Sequence, residues 1–223
     1  MCGRFTLRAN LNRILDEFAA EASGLEWSPR FNIAPTQQVL AIRLKDGART
    51  LSAAKWGLFP SWAKDAKIGN SLINARADGV ADKPSFRSAF KRGRCLVVAD
   101  GFYEWQKVDA KSKQPYFIHM KDDRPFAFAG LCEHWSKGEQ PIDSATIITT
   151  EPNPLMAPIH DRMPMILPAS AYDLWLDPEF TDKQRLLDLL KPYQQGQMVA
   201  TPVSTLVNNP RNESPRCVEA VEA

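Results

Sequence analysis

From residue 38 to residue 150 the chain offers one β-branched or aromatic run after another, with little helical periodicity between them. Segments 38–44 and 50–58 flank an Asp46-Gly47 turn signal and read as a hairpin. Arg94 to Trp105 reads as a buried strand, a kink at Gly101 and a second strand. Segments 115–120 and 125–131 read as a further strand pair around the charged turn Lys121–Arg124, and Ala145 to Thr150 as one more strand. Strands that follow one another without regular βαβ alternation favour a mixed α+β fold built mainly on antiparallel sheet.

Helical signals lie at the two ends. Leu11, Ile14, Leu15 and Phe18 share one face at helical spacing. Ser170-x-x-Asp173 and Thr181-x-x-Gln184 read as capping patterns for two helices near the C-terminus. The Asn- and Pro-rich stretch from Asn208 to Pro215 reads as an extended loop. A length of 223 residues suits a single domain over 1–223, with the tail from about 208 extended.

No apolar run is long enough to cross a membrane, and the N-terminus lacks a signal-peptide layout. Cys2, Cys95, Cys132 and Cys217 are far apart and form no C-x-x-C, so neither a disulfide framework nor a metal site is expected. Cys95, beside Leu96-Val97-Val98, reads as a core residue. A reducing, cytoplasmic setting follows, with no cofactor. Net charge is only +2, but residues 1–94 hold 16 Lys and Arg against 8 Asp and Glu, while residues 95–223 hold 12 against 18. A basic half suits an anionic partner, provided that the two halves do not intermix in the fold.

That basic half carries the chain's least ordinary position. In Met1-Cys2-Gly3-Arg4-Phe5 the second residue is small, so removal of Met1 is expected, and a working Cys2 requires that no leader be cleaved. An N-terminal Cys is a 1,2-aminothiol, with an amine of pKa about 7.7–8.0 and a thiol of about 8.5. The amine condenses with an aldehyde to an imine, and the sulfur then closes a five-membered thiazolidine. No internal Cys or Lys can complete both steps.

Four further segments stand out: Arg30-Phe31-Asn32-Ile33-Ala34-Pro35, Leu72-Ile73-Asn74-Ala75-Arg76, Asp100-Gly101-Phe102-Tyr103-Glu104-Trp105, and Pro158-Ile159-His160-Asp161-Arg162-Met163-Pro164. Together with M-C-G-R-F, the W-G-L-F-P-S-W segment at 56–62 and V-S-T-L-V-N-N at 203–209, they resemble the SOS-response-associated peptidase (SRAP) family in motif and order. The resemblance implies a mixed α+β fold, mainly antiparallel sheet with a barrel-like core and short flanking helices, and a sensor of abasic sites in single-stranded DNA. It implies Cys2 as nucleophile, with Asn74, Glu104 and His160 completing the site, and phosphate contacts from Arg4, Arg76 and Arg162. The DNA-binding set on this reading also includes Asn32, Pro35, Trp62 and Thr149, with Pro35 and Trp62 against bases at a single strand or its junction with a duplex. Some family members carry two adjacent tryptophans where this chain has Trp62-Ala63, so contacts of the missing ring do not transfer.

The residue types suit that chemistry. A closed deoxyribose hemiacetal must be protonated at its ring oxygen to release the aldehyde, and a base must keep the Cys2 amine neutral. Glu104, among Phe102, Tyr103 and Trp105, is expected to have its pKa raised by burial. It is assigned to the amine, His160 to the sugar ring and Asn74 to orientation, although Glu104 and His160 could exchange steps. His119 and His134 lack supporting context. Of the tryptophans at 56, 62, 105, 135 and 175, only Trp62 is expected outside the core. The chain is expected to act as a monomer, removing Met1 itself, with weak lyase activity as a corollary. Two alternatives stand beside the sensor: a thiol peptidase acting on proteins, and a non-covalent reader of modified bases.

Overall fold

The computed structural model describes residues 2–222. Its first strand, β1 (Phe5–Leu7), is followed by α1 (Leu11–Phe18), which buries Ile14 and Phe18 and is capped by the Asn10 side chain accepting from the Arg13 N–H at 2.9 Å. Then come β2 (Arg30–Ile33), the hairpin β3 (Gln38–Lys45) and β4 (Ala48–Trp56), and the short β5 (Asn74–Arg76). After α2 (Arg87–Arg92) the chain alternates between two sheets: β6 (Arg94–Ala99), β7 (Gly101–Lys107), β8 (Lys113–Met120), β9 (Phe126–Trp135) and β10 (Ile142–Thr150). The two-residue strands β11 (Met163–Pro164) and β12 (Ile166–Leu167), helices α3 (Tyr172–Leu176) and α4 (Lys183–Asp188), and β13 (Met198–Pro202) complete it. No helix among the described residues is long and apolar enough to cross a membrane.

One sheet closes on itself. β4 pairs with β3, β3 with β6, β6 with β9 and β9 with β10, all antiparallel, and β10 returns to β4 in parallel. A ring of five strands cannot be antiparallel throughout, because reversing direction an odd number of times never closes. The parallel β10–β4 contact resolves this, with Ser144 opposite Lys55 and Ala145 opposite Trp56. Beyond that contact β10 continues alongside β5, also in parallel, with Ile147 opposite Asn74 and Thr149 opposite Arg76. The second sheet is open and antiparallel, in the order β13-β8-β7-β1-β2. It packs on the barrel through aromatic edges: Phe5 lies 5.1 Å from Trp56 and 5.7 Å from Phe128, and Phe102 lies 6.1 Å from Phe128.

The predicted kink at Gly101 is the point where the chain leaves the barrel for the open sheet. A Cβ there would lie 2.2 Å from the Phe117 ring, so only glycine admits that approach. Beside it, Asp100 is spent on the fold: it accepts from Thr6 Oγ1 (2.6 Å) and the Ala9 N–H (3.0 Å) and pairs with Arg8 Nε (3.2 Å).

Three local expectations are corrected. Segments 115–120 and 125–131 are strands but not a pair, because β7 and β13 take both edges of β8 while β9 belongs to the barrel. Their connection turns at Asp123 (φ +55°), which pairs with Arg8 Nη2 at 2.5 Å. Ser170 caps nothing: it lies within a 3₁₀ turn, Ala169–Ala171, that feeds straight into α3. The cap of α4 is Asp182 rather than Thr181, its carboxylate accepting from the Arg185 N–H at 3.1 Å.

Candidate active site

The register of β1 against β7 brings the N-terminal segment to Glu104. Phe5 lies opposite Phe102, and the Tyr103 N–H donates to Arg4 O at 3.0 Å. Cys2, two residues before Arg4, leaves that register and is buried in the core on the barrel side, close enough to Glu104 to feel its charge. Asn74 arrives from the barrel side, as the first residue of β5, and its Nδ2 donates to Cys2 O at 2.8 Å. His160 comes from the loop between β10 and β11, with Nε2 at 3.9 Å from Glu104 Oε2. The four residues expected to carry the chemistry therefore meet at one seam between barrel and open sheet.

Glu104 is only 2% exposed, and its burial has a different origin from the one expected. Alternation along β7 sends Tyr103 and Trp105 to the opposite face, where Tyr103 packs with Phe117, Val203 and Val207. Glu104 shares its face with Phe102, so the packing of sheet on barrel removes it from water. That burial pushes its pKa up to about 7. Burial lowers the pKa of His160 in turn. His160 Nδ1 sits 3.0 Å from the Arg162 N–H, 3.0 Å from Asp161 Oδ1 and 3.2 Å from Arg162 O. A donor and two acceptors satisfy that nitrogen in either tautomer, which leaves Nε2 able to give or take a proton.

The Cys2 side chain is fully buried, with Sγ 4.0 Å from Arg4 O. Burial first, then the negative charge of Glu104, holds its thiol pKa far above the ordinary range. The sulfur is therefore a neutral thiol at physiological pH. Asn74 Oδ1 is buried and accepts no hydrogen bond among the described residues.

The expected DNA contacts fall into separate groups. Arg76 and Thr149 face each other across β5 and β10, on the side of the sheet that carries Asn74. Arg162 Nη2 donates to Thr149 O at 2.8 Å, while Thr149 Oγ1 and Arg162 Nε are buried without a hydrogen-bond partner among the described residues. Arg4 and Asn32 lie together elsewhere. Arg4 Nη1 donates to Asn32 Oδ1 (3.0 Å) and Val207 O (2.7 Å), and Asn32 Nδ2 reaches the carbonyls of Val207, Asn209 and Asn212 at 3.0–3.2 Å. Both are engaged with the C-terminal segment. Pro35 occupies a turn whose neighbour Thr36 donates from its N–H to Trp56 O, and Trp56 Nε1 donates to Ile73 O beside Asn74. Trp62 is 51% exposed, its indole N–H 3.4 Å from Pro84 O. Trp56, Trp135 and Trp175 are core residues.

One functional candidate escaped the sequence reading. Asp78 receives Arg76 Nε and Nη2 at 3.1 and 2.8 Å and lies 3.6 Å from Arg162 Nη2. A carboxylate two residues from an arginine is too common a pattern to stand out; only the fold brings the second arginine to it.

The family profile described as SOS response associated peptidase (SRAP) matches residues 1–210. The chain belongs to the SRAP family. It is 47% identical to the abasic site processing protein YoqW of Bacillus subtilis (strain 168), over 99% of this chain and 100% of that protein. It is 33% identical to the abasic site processing protein HMCES of Xenopus tropicalis, over 88% of this chain and 67% of that one. Among solved structures, a protein of Bacteroides thetaiotaomicron superposes with a TM-score of 0.90 at 26% identity, covering 99% of this chain and 100% of that chain. Four of the motifs, remote in sequence, bring Cys2, Asn74, Glu104 and His160 to the seam.

Proposed function

We propose that this SRAP protein processes abasic sites in single-stranded DNA by forming a thiazolidine crosslink through Cys2, shielding the lesion from cleavage. The observation that carries this reading is the convergence of Asn74, Glu104 and His160 on Cys2, the one residue able to offer both an amine and a thiol to an aldehyde. The names of the relatives, abasic site processing proteins, support the substrate.

The reaction runs in balanced steps. Hydrolysis of the Met1–Cys2 peptide bond frees methionine and the Cys2 amine, and we assign it to this same site. His160 protonates the sugar ring oxygen and opens the hemiacetal to the aldehyde. The neutral amine adds to the carbonyl carbon, and Glu104 moves the proton as the carbinolamine loses water to give an imine. The sulfur then adds to the imine carbon while its proton passes by way of Glu104 to the nitrogen, closing the ring. A neutral, buried thiol suits this late, acid-assisted step.

Arg76, Thr149 and Arg162 are assigned to the phosphates around the lesion, and Trp62 and Pro35 to the adjoining bases. The protein works as a single domain and a monomer, in the cytoplasm, without cofactor. The test is a denaturing gel with a single strand carrying one abasic site, comparing wild type with Cys2→Ala. A lesion-dependent shifted band that Cys2→Ala lacks is expected. A band of equal strength in the variant removes the proposal, and binding that ignores the lesion points to the reader of modified bases.

A further inference from the structure

Beyond the lesion site, the chain that leaves β5 builds a second basic feature. Lys83, Arg87 and Lys91 recur every four residues through a helically wound stretch, held by N–H donation from Lys83 to Gly79 O (3.0 Å), from Arg87 to Lys83 O (2.9 Å) and from Phe90 to Phe86 O (2.7 Å). At about 6 Å per four residues the three cations line one face, while Phe86, Ala89 and Phe90 are buried on the other. All three are exposed, and none forms an ion pair among the described residues. Nearby carboxylates are already engaged: Asp82 by Lys183 Nζ at 2.6 Å and Asp78 by Arg76.

This ridge is continuous with the site. The Lys83 stem lies over Gly79, next to Asp78 and hence to Arg76 and Arg162. At its other flank, Trp62 rests on Pro84 O, which brings the loop of exposed Lys64 and Lys67 alongside. Behind the ridge a groove of about 550 Å³ has Ala81, Phe90 and Leu186 in its floor and Arg87, Lys91 and Lys183 at its rim.

We propose that the Lys83–Arg87–Lys91 ridge is a second phosphate track that holds the DNA flanking the abasic site as it leaves Arg76 and Arg162. The occupant follows from charge complementarity: evenly stepped, unpaired cations match the repeating charge of a nucleic-acid backbone. The proposal rests on the reading of the seam as a DNA site. Because the contacts are to phosphate, the track adds affinity without sequence preference.

The test is the triple variant Lys83→Gln, Arg87→Gln and Lys91→Gln, whose exposed positions leave the core intact; an unchanged thermal unfolding curve verifies this. Binding to a long intact single strand is measured by fluorescence anisotropy across a salt series. Loss of three contacts lowers the slope of log K against log salt by about 2, at roughly 0.7 per contact on single strands. Crosslinking of a trinucleotide with a central abasic site proceeds at the wild-type rate, because that substrate is too short to reach the ridge. Extending the oligonucleotide on the 5′ and 3′ sides in turn identifies the side that uses it, since only that extension speeds wild type over the variant. Equal salt slopes overturn the track and leave the ridge to an acidic protein. If wild type forms no crosslink at all, the chemistry at Cys2 fails, while the salt slopes still decide the track.

Discussion

His160 Nε2 stands 3.9 Å from Glu104 Oε2, and burial shifts the two groups in opposite senses, the carboxyl up to about 7 and the imidazole down. Near neutral pH the pair can therefore exchange one proton at little cost, as a site needs when it must act as acid and base in successive steps.

The pair sets the pH dependence of both rate and stability. Crosslinking should rise with pH through about 7 as Glu104 becomes a base. Glu104→Gln should lose that limb and slow the reaction by about 10²–10⁴, read by single-turnover gel kinetics. Stability moves the other way. An unfolded Glu releases its proton near 4.3 and the folded one near 7, so the Glu104 contribution is present below 4.3 and is lost as pH rises to 7. His160, with its lowered pKa, makes the opposite contribution, losing stability as pH falls below about 6.5. Subtracting the wild-type curve from that of Glu104→Gln isolates the carboxylate: the variant should gain up to about 4 kcal/mol between these limits and stay ahead at higher pH. Parallel curves in chemical denaturation would show that Glu104 is not held neutral.

Cys2→Ser keeps the amine and gives up the sulfur. It should still form an imine, trapped by borohydride, but no heat-stable crosslink. An imine that cannot close to a ring acidifies the neighbouring sugar carbon, so the variant should cleave the strand slowly by β-elimination. Heat-stable crosslinks from Cys2→Ser would show that the sulfur does not close the ring.

The strand content and the four catalytic candidates were legible in the sequence because each sits in a short motif with strong local character. Pairing was not. Whether β8 joins β9 depends on which edges β7 and β13 have already filled, and no local pattern reports that. The same limit explains Glu104: its burial was foreseen from aromatic neighbours, yet two of them point away, and the barrel behind Phe102 provides the dry environment. Asp78 was invisible because its second arginine lies more than eighty positions along the chain.

Arg4 and Asn32 were expected on DNA, and the fold employs them as a clasp on the C-terminal segment. Asn32→Ala should leave the buried carbonyl of Val207 and the part-buried carbonyls of Asn209 and Asn212 with fewer donors and destabilise the protein by about 1–3 kcal/mol in urea denaturation. Limited proteolysis should then cut first near Asn209. A lowered DNA affinity with unchanged stability would instead place Asn32 on the nucleic acid.

The turn bearing Pro35 holds backbone strain. Gln37 N–H donates to Ala34 O at 3.2 Å around a type II turn, whose third position, usually glycine, is Thr36 at φ +74°. A β-branched residue there costs about 1–2 kcal/mol, partly offset in the glycine variant by its freer unfolded chain. Thr36→Gly should therefore raise stability by about 0.5–1 kcal/mol, seen as a higher Tm, with crosslinking retained because Pro35 keeps its place. A lower Tm would mean that the threonine side chain makes contacts worth more than the strain.

Asp78 occupies, with a carboxylate, the place between Arg76 and Arg162 that the proposed function gives to a phosphate. In free protein its single charge pairs with Arg76 and faces Arg162, and DNA must displace it from at least one of them. Hydrogen bonds from Arg76 hold its pKa below the usual carboxylate range, so it stays charged at any workable pH and only a substitution removes it. Asp78→Asn should bind intact single strands about three- to tenfold more tightly and steepen the salt dependence, each freed cation adding roughly 0.7 to the slope. The gain should be smaller for abasic strands, where covalent capture already completes binding, so selectivity for the lesion falls as general affinity rises. Weaker binding to both strands would instead make Asp78 the residue that aims the two arginines, and the salt slope would then fall rather than rise.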